Sequence, residues 1–354
     1  MISKIRTPLS LAALLALSLL AACAEQKPVA APPAPPPAPP PPPSVSLAPR
    51  LVEQAAAYRY YMSRVSTISP AFQDGAAIAR SIEVGAAYEP QQMLRGAIAY
   101  GAVAALQDPA YVAAVRTFAV DPEQRRQVAY QLMKDPAYAV GIANSAGAAG
   151  LVVAALGGEA QKLYDNGKAV KQAAYDIQHQ AWSKVDVPNR EQRLSQAKSL
   201  SATPVVGDMA ETARLQQAIV GASPLGVSPS TASPPYSPVV VRSLALAALA
   251  ALGEANDANM DTILAEMAEP QVGFCMSMAK LNLYQCLAVS RPHYEDVFCL
   301  GQHIMMDTGR CMIKAAGLPE PFEAKFVPKD QTNEQMIAAR KGSSKKHSKK
   351  GLGV

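Results

Sequence analysis

From Leu51 onward, apolar and polar residues recur with the period of amphipathic helices, and no alternating strand pattern runs longer than a few positions. Tyr58, Tyr61, Val65 and Ile68 lie three or four apart and predict a first helix, which Pro70 ends. A second is expected from about Asp74 to Tyr88. Glu89-Pro90, Asp108-Pro109, Asp121-Pro122 and Asp135-Pro136 then each place an acidic residue before a proline that opens an apolar run. An acidic side chain accepts hydrogen bonds from the free N–H groups of a helix start, and proline lacks the N–H that would have no helical partner there. Successive short helices with tight connections follow. Asp108-Pro109-Ala110-Tyr111 recurs as Asp135-Pro136-Ala137-Tyr138, which would suit a helical repeat. The intervening segments do not align, so shared capping chemistry in an irregular bundle is the preferred reading.

Ala137 to Gly158 has no charged residue over 22 positions. Its length would permit a membrane span, but it is mostly Ala and Gly and is interrupted by Asn144 and Ser145. A buried central helix is expected, with membrane insertion and an oligomerising seam of Gly147, Gly150, Ala154 and Gly158 as the alternatives. Residues Glu159 to Ser201 are polar enough to cover that core, with Tyr164, Ile177 and Trp182 turned inward. Gly221 to Pro238, rich in Pro and Ser, reads as a loop or linker and the best available boundary. Val239 to Leu252 and Asp257 to Ala268 are further helices. The apolar fraction is 49%, yet the chain has six Phe and one Trp, so alanine supplies much of it. That composition suits helices packed closely through small side chains.

The N-terminus follows a different plan. Lys4 and Arg6 precede an uncharged apolar segment, Leu9 to Leu20, too short to span a bilayer and of the kind that directs export. Leu20-Ala21-Ala22-Cys23 closes it, and this resembles the lipobox of bacterial lipoproteins. The resemblance covers residues 1–23 and implies that Cys23 becomes the first mature residue and carries the lipid. It also implies attachment to the cell envelope, with Ala24 favouring an outer-membrane address facing the periplasm. Each buried methylene contributes about 0.8 kcal/mol, so two or more acyl chains anchor stably. Pro28 to Pro43 should then form an extended polyproline arm reaching on the order of 50 Å.

With Cys23 lipidated, Cys275, Cys286, Cys299 and Cys311 form an even set in an oxidising compartment. Cys275 and Cys286 stand about 16 Å apart along a helix, and Cys299 and Cys311 about 18 Å. A disulfide needs Cα atoms within about 7 Å, so neither pair bridges inside one helix. A turn at Ser290-Arg291-Pro292-His293 would instead bring Cys286 to Cys299 and Cys275 to Cys311 as nested staples of a helical hairpin. This looks like the twin-cysteine hairpins of mitochondrial intermembrane-space proteins, with longer spacings, and only the geometry is shared. Gly309 threatens to break the second helix before Cys311. A metal site using Cys299, His303 and His293 is the rival, disfavoured by oxidation. Met305, Met306 and Met312 read as a core stripe.

The net charge is +5, and Arg340, Lys341, Lys345, Lys346, Lys349 and Lys350 form an uncompensated basic tail that leaves the remainder at −1. Basicity confined to a tail argues against nucleic acid and for anionic lipid, lipopolysaccharide or cell wall. Ser195-Gln196-Ala197-Lys198 and Ser277-Met278-Ala279-Lys280 have serine–lysine spacing, but neither the Ser-Asp-Asn nor the Lys-Thr-Gly motif accompanies them. No cofactor is expected. The sequence therefore predicts an all-α protein, an irregular multi-helix bundle with a C-terminal disulfide-stapled helical hairpin, flanked by disordered ends. Its divisions are a signal peptide (1–22), lipidated cysteine and proline arm (23–50), helical domain (51–220), Pro/Ser-rich loop or linker (221–238), cysteine hairpin segment (239–326) and basic tail (327–354). The expected role is binding or scaffolding in the envelope through the membrane anchor and other envelope components. An envelope enzyme such as a cell-wall hydrolase is the alternative.

Overall fold

Acidic side chains cap six of the 13 α-helices in the computed structural model, which describes residues 41–322. Helix α1 spans Pro49–Val65. Asp74 caps α2 (Gly75–Ala86), and Glu89 accepts the N–H groups of Gln91 and Gln92 to open α3 (Pro90–Ala105). Asp108 and Asp121 open α4 (Pro109–Arg116) and α5 (Pro122–Lys134) in the same way, and Asp135 opens a 3-10 turn, Pro136–Gly141. All four acidic-proline pairs thus act as caps, relieving donors that a helix start otherwise leaves unpaired.

The uncharged stretch continues into α6 (Ser145–Ile177), a helix of 33 residues. After it come α7 (Arg190–Ala202), α8 (Met209–Ile219), α9 (Pro238–Leu252) and α10 (Met260–Glu266). Then α11 (Pro270–Val289), α12 (His293–Cys299) and α13 (Asp307–Ala315) form the cysteine hairpin, with a π-helical stretch, Leu300–Met306, joining the last two. Among the described residues there are 13 α-helices and no strand, only an isolated bridge between Asp186 and Pro292.

One hydrophobic core runs from α1 through α13. At its centre α3 crosses α9, with Ser243 packed against Gly101 and donating to Ile98 O at 3.2 Å. Tyr58 of α1 stacks on Tyr100 of α3, ring centroids 5.7 Å apart. The Pro/Ser segment crosses the outside of α6: Ala232 N–H donates to Ala146 O at 3.0 Å and Ser230 Oγ to Gly150 O at 2.8 Å. A Cβ on Gly150 would lie 2.0 Å from Ser230 O, so this segment can rest on α6 only where the helix carries glycine.

Helix α6 also carries the hairpin. A Cβ on Gly301 would lie 2.4 Å from Lys171 N, and one on Gly309 would lie 2.9 Å from Tyr164 N. Gly309 therefore does not break the second hairpin helix. It lets that helix approach the α6 backbone, and the helix continues past Cys311. Met305, Met306 and Met312 are fully buried in the same contact. Cys23, the arm as far as Pro40 and the tail with Arg340, Lys341, Lys345, Lys346, Lys349 and Lys350 lie outside the described residues, as do residues 323–326 of the hairpin segment.

Candidate interaction site on the cysteine hairpin

The hairpin is closed covalently at two levels. Cys286 bonds to Cys299 and Cys275 to Cys311, with Cα atoms 5.7 and 5.8 Å apart. Both bonds nest around the Ser290-Arg291-Pro292 turn, as helix rise and the reach of a disulfide require. Cys299 is thereby unavailable to a metal ion, and the neighbouring His303 Nδ1 lies 2.8 Å from Asp307 Oδ2.

Two arginines of α7 clamp the turn. Arg190 donates to Ser290 O at 2.7 Å and Ala288 O at 2.9 Å, while Arg193 reaches Leu287 O and pairs with Asp296. These carbonyls are among those left without helical partners where α11 ends, and cations there also suit the helix dipole. Asp296 is buried and further accepts Ser290 Oγ at 2.8 Å. Burial raises its carboxyl above the usual range despite the opposing Arg193 charge and the hydrogen bonds from Ser290 and Arg193. Nothing in the spacing of α7 announced this clamp.

The inward face of α11 carries Lys280, the one charged residue of that helix. Its Nζ donates to Ala86 O at 2.6 Å and Ser201 Oγ at 3.1 Å, and sits 3.4 Å from the ring centroid of Tyr88. Burial pushes its pKa well below the usual lysine value, against the smaller opposing influence of Glu89. Tyr88 in turn shares a 2.9 Å hydrogen bond with Thr308. Lys280 and Ser201 are only 5% and 4% exposed, so the pair ties α11 to α7 and α2 inside the body, closed to a substrate. Ser277, its neighbour in the serine–lysine spacing, is exposed and donates to Gly273 O.

With that lysine turned inward, the outward face of α11 has no charge. Gln271, Phe274, Met278, Leu281, Gln285 and Ala288 are all exposed. Their spacings alternate between three and four, the pattern of a helix-packing seam. Phe274 is 68% exposed, Leu281 44% and Met278 36%, and Val289 at the C-terminal end is 75% exposed. Contiguous apolar exposure of this kind marks interaction surfaces on soluble bodies. The helix is also 20 residues long and apolar enough to cross a membrane by length and composition.

Beside Val289 opens a cavity of about 350 Å³ between the end of α6 and the hairpin turn. Tyr175, Tyr294 and Phe298 wall it, Cys286 contributes one side, and Glu295 stands at it. The Tyr175 and Phe298 rings meet edge to face, 6.4 Å apart. A larger cavity of about 560 Å³ lies between α1 and α8 and is lined by the exposed Val206 and Met209.

On the far side of Phe298, the π-helical stretch presents a polar group. Asp307 accepts His303 Nδ1 and Gln302 Nε2, each at 2.8 Å, and Gln302 Oε1 accepts Lys171 Nζ at 2.5 Å. Burial alone would raise the Asp307 carboxyl, but the hydrogen bonds from His303 and Gln302 and the charges of His303 and Arg310 outweigh it and hold the pKa low.

The described body is thus an all-α bundle whose last three helices form a disulfide-stapled hairpin with an apolar outer face. No protein-family model matches the chain, and no curated protein or solved structure is significantly similar to it.

Proposed function

We propose that this protein is a lipid-anchored binding or scaffolding module of a bacterial cell envelope, and that α11 is the surface through which it binds. The carrying observation is the outward stripe of that helix, where Phe274, Met278 and Leu281 face solvent with no charged neighbour on the helix. With the one charge of the helix spent inside the body, covering its other face by a partner removes the apolar surface of Phe274, Met278 and Leu281 from solvent. The lipobox-like Cys23 supplies the anchor, the proline arm the reach, and the basic tail an attraction for anionic lipid or lipopolysaccharide. Both disulfides suit the oxidising compartment that such an anchor implies.

Two measurements test this reading. Cys23→Ser should move the protein from the membrane fraction to the soluble fraction, and retention at the membrane would remove the anchor. A photoreactive phenylalanine analogue at Met278 should give a crosslinked protein product in intact cells, whereas the exposed Arg126 on α5 should give none. Absence of a product at Met278 would remove the binding face. If purified cell wall were cleaved, and the cleavage lost on His303→Ala, the catalytic reading would replace this one.

A further inference from the structure

The outer face of α11 carries both a knob and a hollow. Phe274, near its N-terminus, is a large aromatic side chain with most of its surface in solvent. Fifteen residues later Val289 borders the aromatic cavity walled by Tyr175, Tyr294 and Phe298. That separation is about 22 Å along the helix. Phe274 cannot reach the cavity of its own chain, because both features ride on one rigid helix.

We infer that the occupant of this face is a second copy of the chain, packed antiparallel along α11 so that each Phe274 enters the cavity of the other copy. The inference rests on the reading of α11 as a binding face and names its partner. Gln271 and Ala288 end the seam, and its midpoint falls between Ala279 and Lys280. A two-fold axis there sets Met278 against Leu281 of the second copy, and Phe274 against Gln285, one turn from Val289 and the cavity. The same operation places the second copy's Phe274 at the first copy's cavity, which is the reciprocity an isologous interface requires.

Electrostatics and area agree. The seam carries no charged side chain, so laying it on itself creates no like-charge repulsion, and antiparallel helices oppose their dipoles favourably. A seam about 30 Å long and roughly 10 Å wide buries on the order of 600 Å² summed over two copies, which is small for a specific interface. Insertion covers the sides of each exposed Phe274 together with the walls of the cavity it enters, which brings the total towards the ~1,000 Å² that a biological interface should clear. The knob and hollow are therefore what make self-association adequate.

The test uses the full chain in its membrane. A photoreactive analogue at Met278 should give a product of twice the mass of the membrane-bound chain that contains only this protein. A product containing a different protein would overturn the second copy while leaving the binding face intact, and no product would overturn both. Phe274→Ala removes the knob and Val289→Trp fills the hollow. Each alone should weaken the dimer of detergent-extracted protein about tenfold or more by sedimentation, with unchanged thermal unfolding because both positions are exposed. Co-expressed, the two variants should recover association as a mixed dimer. One knob of that dimer still meets one open hollow, whereas neither variant's own dimer keeps such a pair. Failure of the mixture to recover would overturn the two-fold arrangement.

Discussion

Helices α9 and α11 read alike in sequence, both apolar with a single basic residue, Arg242 in one and Lys280 in the other. Their fates are opposite. In α9, 12 of 15 residues are buried and Arg242 is half-buried at its edge, donating to Glu266 O at 2.7 Å. In α11, six of 20 residues are buried and Lys280 is one of them. Helix α9 is held because it is surrounded; α11 is held along one side by two disulfides, two arginine clamps and a buried lysine. An apolar helix that needs such fastening has a reason to keep its other side open, and this is why α11 is the better place to look for a partner.

The largest effect should come from removing the fastening. By loop-closure entropy, the outer bond of α11 is worth about 4 kcal/mol and the inner about 3 kcal/mol. Replacing all four hairpin cysteines by serine should therefore abolish hydrogen-exchange protection in α11 to α13 while α3 and α9 remain protected. Equal loss of protection in α9 would show that the two helices are not independently held.

A smaller effect should separate burial from exposure. Leu246→Ala in α9 removes a side chain only 3% exposed and should cost about 2–5 kcal/mol in chemical denaturation. Leu281→Ala on the outer face of α11 should stay within about 0.5 kcal/mol, provided the protein is dilute enough to be unassociated. Similar losses at both positions would mean that the outer face of α11 is part of the folded core.

The smallest effect concerns the inward lysine. The pKa of Lys280 is lowered on folding, so the unfolded chain binds more protons between that depressed value and 10.5, and folding stability rises with pH across this window. Lys280→Met lacks this dependence. The stability of wild type relative to that variant should therefore increase from neutral pH towards pH 10, and a pH-independent difference would show that Lys280 is solvated in the native state.

Much of the fold was legible because it depends on neighbours in the chain. Asp or Glu before Pro identified helix starts from Glu89 to Asp135, since a cap acts on N–H groups two and three residues away. The nested disulfides followed from helix rise and one proline turn. The Val239 to Leu252 helix was evident from its apolar run. The outward face of α11 was not legible, because apolar and polar residues are spread around the whole helix and periodicity cannot say which side a body covers. Gly309 looked like a helix breaker because its partner, the Tyr164 backbone, is far away in sequence. The Arg193 to Asp296 pair joins residues about a hundred positions apart, beyond the reach of any local pattern.

By itself the sequence determined the all-α class, the acidic-proline caps from Glu89 to Asp135, the cysteine register and the expectation of an exported, lipid-bearing N-terminus, all consequences of short-range geometry and covalent chemistry. Only the tertiary structure decided that Lys280 turns inward, that α6 meets the hairpin through glycine contacts, and that Phe274 lies on an uncharged helix face whose far end borders the aromatic hollow. Those outcomes depend on which surfaces meet across the fold, where burial and excluded volume, not local propensity, select the arrangement.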